Sequence, residues 1–428
     1  MGCTFLSLEV KLNDRISLIL FYCVFLSFIP ILISTTLFPG LRSGMIFNIL
    51  VGVSFFIQIV LLLFNFLSQQ SLRFNQIFFL FAWVFTISQL LTLYLSLIRG
   101  IEINNFDFIN VIIRFFSIVF FLCIPLNYKI SKKGLETFMR SLLIMGMIAC
   151  IYNMILNFNG IINIASISNS YVVNFKSFFT NRNSFGQFLF FCLIANTYLY
   201  IAKKSNIYVL SSIIIALNLF VTLSRTVVAS ACIFLIIFIL IYFRKRIWIK
   251  ITIMMSVVML FIAIFINQKL NNFIFGIFLR EENGTSGRSA IWQTGIEILN
   301  QTSWSFGIGY MTGTSLIADL GFPNQFHNFF IETLVGGGIV DIILHFIIFI
   351  FIIRKIMIII KNDELIGSIF ISAYAGLVFY GFFECASFFS MGYVDTLFRV
   401  FFITIPLLYA NNFKIPYEEL NKKVRKSN

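Results

Sequence analysis

Apolar stretches of roughly twenty residues recur along the whole chain, and they decide most of what it can fold into. Backbone amides inside a bilayer have no water to bond, so a segment of this kind must satisfy them internally as a helix. A membrane β-barrel would instead alternate polar and apolar positions, and the unbroken apolar run from Ala231 to Tyr242 does not. Composition agrees. With 59% hydrophobic and 11% charged residues, the chain has too little polar surface to cover a water-soluble globule of 428 residues.

Windows of membrane-spanning length place about twelve spans, near 16–38, 44–67, 74–98, 108–126, 138–158, 185–202, 207–223, 226–243, 248–268, 328–353, 365–389 and 395–410. The expected fold is therefore an all-α polytopic membrane protein forming one integral domain over residues 1–428. A net charge of +14 is compatible with nucleic-acid binding in principle. Here the basic residues fall in short clusters between apolar runs rather than along one stripe, as membrane topology requires and nucleic-acid binding does not.

Of the 31 basic residues, 21 lie in connections assigned to one side, eight in connections assigned to the other, and two (Arg114 and Arg399) within spans. The positive-inside rule then puts both termini on the cytoplasmic side. Glu9, Lys11, Asp14 and Arg15 precede the first run without a cleavable signal layout, so the first helix is expected to serve as an uncleaved signal. Six of the seven cysteines, Cys385 among them, fall in apolar runs without metal-ligand spacing and read as small apolar residues.

Two outer connections are long, roughly 159–184 and 269–327, the latter between the ninth and tenth spans. In the second, 288–299 reads as an amphipathic helix with Ile291, Trp292, Ile298 and Leu299 on one side, able to rest on the membrane surface. The connection is expected to be a packed cap.

Outer connections are poor in Lys and Arg, so the arginines there need a reason: Arg182, Arg225, Arg280 and Arg288. Guanidinium forks bind phosphate oxygens bidentately, and several converging at the outer leaflet would cradle a lipid-linked pyrophosphate. Headgroup contact or a structural ion pair accounts equally well for any single one. Arg114 and Arg399 lie nearer the outer face within their spans. For Arg399 an ion pair with Asp395, one turn earlier, or with Glu384 in the neighbouring span is the first reading; Glu384 could instead border the reaction cavity.

The only histidines, His327 and His345, fall eighteen residues apart on one expected helix and on the same face. His345 lies deep, one turn after Asp341 and tied to it. His327 lies at the water boundary beside the arginines, where an imidazole with an ordinary pKa of about 6.5 can accept a hydroxyl proton. Walker, dinucleotide-binding and zinc-protease motifs are missing, as are paired aspartates for a metal-bound nucleotide.

Four segments together resemble the bacterial O-antigen polymerase and O-antigen ligase superfamily of membrane glycosyltransferases. They are Thr180-Asn181-Arg182-Asn183-Ser184-Phe185-Gly186, Leu223-Ser224-Arg225-Thr226, Ser286-Gly287-Arg288-Ser289-Ala290-Ile291-Trp292 with Phe306-Gly307-Ile308-Gly309-Tyr310, and His327-Asn328-Phe329-Phe330-Ile331-Glu332 with Gly336 to Gly338 behind it. The resemblance covers about 180–340; earlier residues match only in hydropathy. It implies a GT-C-like architecture and a metal-independent glycosyltransferase without cofactor or nucleotide sugar. The donor would be an undecaprenyl-diphosphate-linked glycan and the acceptor a second glycan, with membrane lipids and a chain-length regulator protein as further partners and no nucleic acid.

Carried over by residue, Arg182, Arg225 and Arg288 would hold the pyrophosphate and His327 would take the acceptor proton. Arg280 matches no family element and is included on charge alone. The compact motif forms favour a polymerase of O-antigen or capsular repeat units; a ligase joining the glycan to lipid A core shares them. A flippase of the same lipid-linked sugar would also need many helices and basic residues, but transporters place charge near the midplane, often in inverted repeats. Neither feature is visible here.

Overall fold

The computed structural model describes residues 2–38, 45–67, 76–163, 175–248, 287–385 and 388–413, with scattered positions between 251 and 271. Among these residues there is no β-strand, and ten helices are long and apolar enough to cross a membrane. The first six elements are α1 (Gly2–Leu32), α2 (Met45–Leu67), α3 (Gln76–Ile98), α4 (Phe106–Ile118), α5 (Lys132–Leu156) and the short α6 (Phe158–Ile162). Next come α7 (Arg182–Lys203), α8 (Asn206–Val221) and α9 (Arg225–Tyr242). Two cap helices, α10 (Arg288–Gln301) and α11 (Tyr310–Asp319), precede α12 (Phe329–Asn362), α13 (Glu364–Phe383) and α14 (Tyr393–Phe398), which continues through a π-helical stretch to Ala410.

Eleven of the twelve expected spans thus coincide with helices, α8 being a shorter one of 16 residues. The remaining span, 248–268, lies largely outside the described residues. The split between α8 and α9 is real: Leu223 adopts a left-handed φ of 52°, which breaks the helix one residue before its Ser224 cap. The span expected to run to 389 stops at Phe383, because Glu384 turns the backbone extended.

The outward faces are apolar. Phe56 and Phe64 on α2 are 66% and 68% exposed, a surface that only lipid would solvate at no cost. Inside, α7 is the axis of the bundle: Phe185, Phe188, Phe191, Cys192 and Ala195 are fully buried and α7 packs against α5, α8 and α9. Exposed and half-exposed ion pairs gather at one end of the bundle, where Lys132 meets Asp363, Lys203 and Arg140 meet Glu136, and Arg244 meets Glu364. The starts of α7, α9 and α12 and the end of α13 lie at the other.

α12 is 34 residues long, which as a straight helix would measure about 51 Å, well beyond a hydrocarbon core of about 30 Å. It is broken at Gly338, with φ 69° and ψ −167°. The freed backbone groups are taken up by the chain before α11: Ile308 and Gly309 N–H donate to the carbonyls of Val335 and Gly336, while Ile339 and Val340 N–H donate to those of Trp304 and Ser305. A Cβ on Gly338 would stand 2.2 Å from the Ser305 carbonyl oxygen, and one on Gly307 2.4 Å from that of Val335. The two glycine-rich segments therefore interlock backbone to backbone, pinning the cap into the break.

The same break separates the two histidines. His327 precedes the N-cap and has a left-handed φ of 52°, so the expectation of one continuous helix with both rings on one face fails.

Over the described residues the cap is packed, as expected, and the apolar side of α10 turns into it. Ile291 and Leu299 are buried with Ile308, Ile317, Phe326 and Val335, and Trp292 Nε1 donates to the Phe326 carbonyl at 3.0 Å. Asp107 at the start of α4 seals the far side by accepting from the backbone N–H of Met311 and Thr312, both at 2.9 Å.

Candidate functional site

Glu384 is the centre of the polar end of the bundle. Its carboxylate is buried, with the side chain 7% exposed, and three groups share it. Arg288 Nη2 lies 2.7 Å from Oε1, Asn183 Nδ2 donates to the same oxygen at 3.2 Å, and His327 Nδ1 lies 3.0 Å from Oε2. Partners on both oxygens are what a carboxylate needs to remain charged away from water, where an uncompensated ion costs several kcal/mol.

Each partner is delivered by the beginning of a helix. Asn181 caps α7 by accepting from Ser184 N–H at 2.8 Å, which puts Arg182 and Asn183 on its first turn. Gly287, with φ 77°, turns the chain into α10 so that Arg288 opens the helix. Asn328 caps α12, accepting from Phe330 and Ile331 N–H at 2.8 and 3.0 Å. Its amide also donates to the Phe382 carbonyl at 2.9 Å, tying the start of α12 to the end of α13 beside His327.

Arg225 opens α9, and α9 begins against α7: a Cβ on Gly186 would touch Val227 at 3.3 Å and Ser224 at 3.5 Å. Arg182 and Arg225 thus project from adjoining first turns, both partly exposed. The N-termini of α7, α10 and α12 meet around Glu384, adding partial positive charge to that of the arginines.

In the neutral imidazole that donates from Nδ1 to Glu384, Nε2 is the acceptor nitrogen. His327 is about one-fifth exposed, accessible from the polar end of the bundle.

The other sequence candidates lie elsewhere. Arg114 is buried beneath the cap, 3.4 Å from Asp341 and stacked on Tyr310 with 3.6 Å from guanidinium carbon to ring centroid. Asp341 also accepts from the Tyr310 hydroxyl and lies 3.3 Å from His345 Nδ1, so His345 is tied to Asp341 as expected. This network supports the helix break and does not join the Glu384 cluster.

Arg399 is fully buried, with Asp395 acting on it as a nearby charge and, among the described residues, no carboxylate in direct contact. Its hydrogen bonds go to the Ser390 carbonyl and to Thr396 Oγ1, and the guanidinium lies between the Phe55 and Phe121 rings, 5.2 and 4.7 Å from their centroids. Arg280 lies outside the described residues.

Glu384 is weakly signalled by the sequence, and Asn183 and Cys385 are not singled out by it. Asn183 is legible only as the second asparagine of the N-R-N segment; Cys385 is hidden by the expectation of a helix that continues through it.

Residues 210–346 match the model of a family described as O-antigen ligase, a stretch that holds Arg225, Arg288 and His327. No curated protein matches the chain. Over that stretch, about a third of the chain, a multi-pass helical bundle that carries the cap and the histidine-bearing helix start is similar to the O-antigen ligase and polymerase superfamily of membrane enzymes.

Proposed function

We propose that the protein polymerises undecaprenyl-diphosphate-linked glycan repeat units, of O-antigen or capsular polysaccharide, at the outer face of the inner membrane. The observation that carries this reading is the shared carboxylate of Glu384, which joins a candidate base, His327, to a candidate phosphate ligand, Arg288, in one buried cluster. His327 Nε2 takes the proton of an acceptor hydroxyl as its oxygen attacks the anomeric carbon of the donor. The bond from that carbon to the diphosphate oxygen breaks. Undecaprenyl diphosphate leaves with the electron pair, and its growing negative charge is met by Arg182, Arg225 and Arg288 with the helix N-termini behind them. Attack opposite the leaving group inverts the anomeric centre.

The basic residues of Lys132, Arg140, Lys203 and Arg244 at the opposite end support a cytoplasmic assignment for that end, and hence an outer assignment for the Glu384 cluster. The family match, described as a ligase, favours a second reading in which the acceptor is lipid A core. Complementation separates the two. A polymerase restores a ladder of repeat lengths in a strain that otherwise shows single repeats, whereas a ligase restores attachment of preformed chains to lipid A core. Failure in both strains with the protein present in the membrane would overturn both readings.

A further inference from the structure

Glu332 has no part in the chemistry described above, yet it sits one turn into α12 beside the site. Its carboxylate accepts the thiol proton of Cys385, the residue that follows Glu384. Three contacts therefore lace the start of α12 to the segment leaving α13. Asn328 Nδ2 meets the Phe382 carbonyl at 2.9 Å, His327 meets Glu384 at 3.0 Å, and Glu332 meets Cys385. The first and last flank the chemically important one.

His327 holds a left-handed φ of 52°, which for a residue other than glycine costs on the order of 1–3 kcal/mol and persists only where its surroundings enforce it. Asn328 enforces it from one side. On the other side Glu384 N–H makes the last helical hydrogen bond of α13, to the Tyr380 carbonyl at 2.9 Å, and with φ −146° and ψ 156° the chain leaves the helix there. The Glu332–Cys385 contact holds the segment that follows.

We propose that Glu332 is a positioning residue for the His327–Glu384 pair, acting through Cys385 to hold the Glu384 backbone against the first turn of α12. The proposal rests on the assignment of His327 as proton acceptor in the reaction above. Burial, reinforced by the neighbouring Glu332 charge, holds the Cys385 thiol well above the ordinary thiol range, so the sulfur keeps the proton that it donates.

The test uses the purified full-length protein in nanodiscs with lipid-linked glycan extracted from membranes of a deletion strain. Glu332→Ala is expected to lower kcat about tenfold or more with KM for that glycan unchanged, as for a group needed only once the reacting atoms must align. Glu332→Gln keeps an oxygen for the thiol and should recover most of the rate. Cys385→Ala should behave as Glu332→Ala does, and Cys385→Ser, which keeps a donor, as Glu332→Gln does.

The deciding measurement is a double-mutant cycle: in a Glu384→Gln background, Glu332→Ala should cause no further loss. A full additional loss there means that Glu332 acts independently of Glu384 and overturns the proposal, as does a wild-type kcat for Glu332→Ala. A wild-type kcat for Glu384→Gln alone would instead remove the His327–Glu384 reading on which the proposal is built.

Discussion

His327 Nδ1 faces Glu384 Oε2 at 3.0 Å, and the other oxygen of the same carboxylate holds Arg288 at 2.7 Å. One buried acid thereby orients the imidazole and the guanidinium together. In the proposed reaction the arrangement is economical of charge, because the cation that orients on Glu384 would also meet the departing diphosphate.

If the imidazole takes the acceptor proton, His327→Ala should lower glycan transfer by about 100- to 10,000-fold, the usual contribution of a positioned acid or base. Alanine carries the same Cβ into the left-handed backbone at 327 that histidine does, so membrane-inserted protein should accumulate near the wild-type level. Immunoblotting of membranes beside the glycan ladder checks both halves. A full ladder from His327→Ala at normal abundance would remove the base.

Arg288→Lys is expected to keep the ion pair with Glu384 and to lose the planar fork. An ammonium cannot bond a carboxylate and two phosphate oxygens in one plane. The variant should therefore fold normally and show a raised KM for the lipid-linked donor, by about tenfold or more if one charge-assisted bond worth about 1.5–3 kcal/mol is lost. Donor titration at fixed acceptor reads the change, and an unchanged KM would count against phosphate binding by Arg288.

The interlock between 304–309 and the break in α12 admits no side chain. Gly338→Ala would set a Cβ 2.2 Å from the Ser305 carbonyl oxygen and force a φ of 69° on alanine. Backbone strain of this kind costs about 1–3 kcal/mol before the clash is counted. The expected outcome is early loss of the cap on heating, read as faster trypsin cleavage within 287–321 while the spans stay protected.

Much of this fold is legible in the sequence because lipid imposes a simple rule on apolar runs, and the residue that opens α7, the one that opens α9 and the histidine before α12 are where their short motifs suggest. What the sequence conceals is where helices stop. Glu384 and Cys385 look like the interior of a long apolar span, and the turn to an extended backbone at Glu384 is set by partners 57 to 201 positions away in the chain. Gly338 hides in the same way: a run of three glycines fits a tightly packed helix as well as a broken one, and only the carbonyls of Trp304 and Ser305 decide. Arg399 shows the opposite error, since a carboxylate one turn away invites an ion pair that Thr396 and the Ser390 carbonyl displace.

Asp341 supports a different expectation, of stability and not of chemistry. It is fully buried and shared by Arg114, His345 and Tyr310, so Asp341→Ala strands a buried guanidinium and should cost about 3–5 kcal/mol, seen as low abundance and a depressed Tm. Removing both charges, as Arg114→Met with Asp341→Leu, should recover a good part of that loss, since an apolar pair has no charge to desolvate. Recovery of abundance together with glycan transfer would place Arg114 in the scaffold. Recovery of abundance without transfer would return it to the list of groups that meet the substrate.

The sidedness on which the reaction depends can be read by labelling. Gln325, two residues before His327, and Asn362, at the end of α12, are both exposed and lie at opposite ends of the bundle. A membrane-impermeant maleimide applied to spheroplasts should label Gln325→Cys directly and Asn362→Cys only after permeabilisation. Cys385 should not interfere: maleimides react with the thiolate, and burial beside Glu332 keeps that thiol protonated. Labelling of Asn362→Cys in intact spheroplasts would turn the whole bundle over. It would put His327 and Arg288 on the side where the proposed outer-leaflet donor is not presented, and no glycosyl transfer of the kind argued here could then occur.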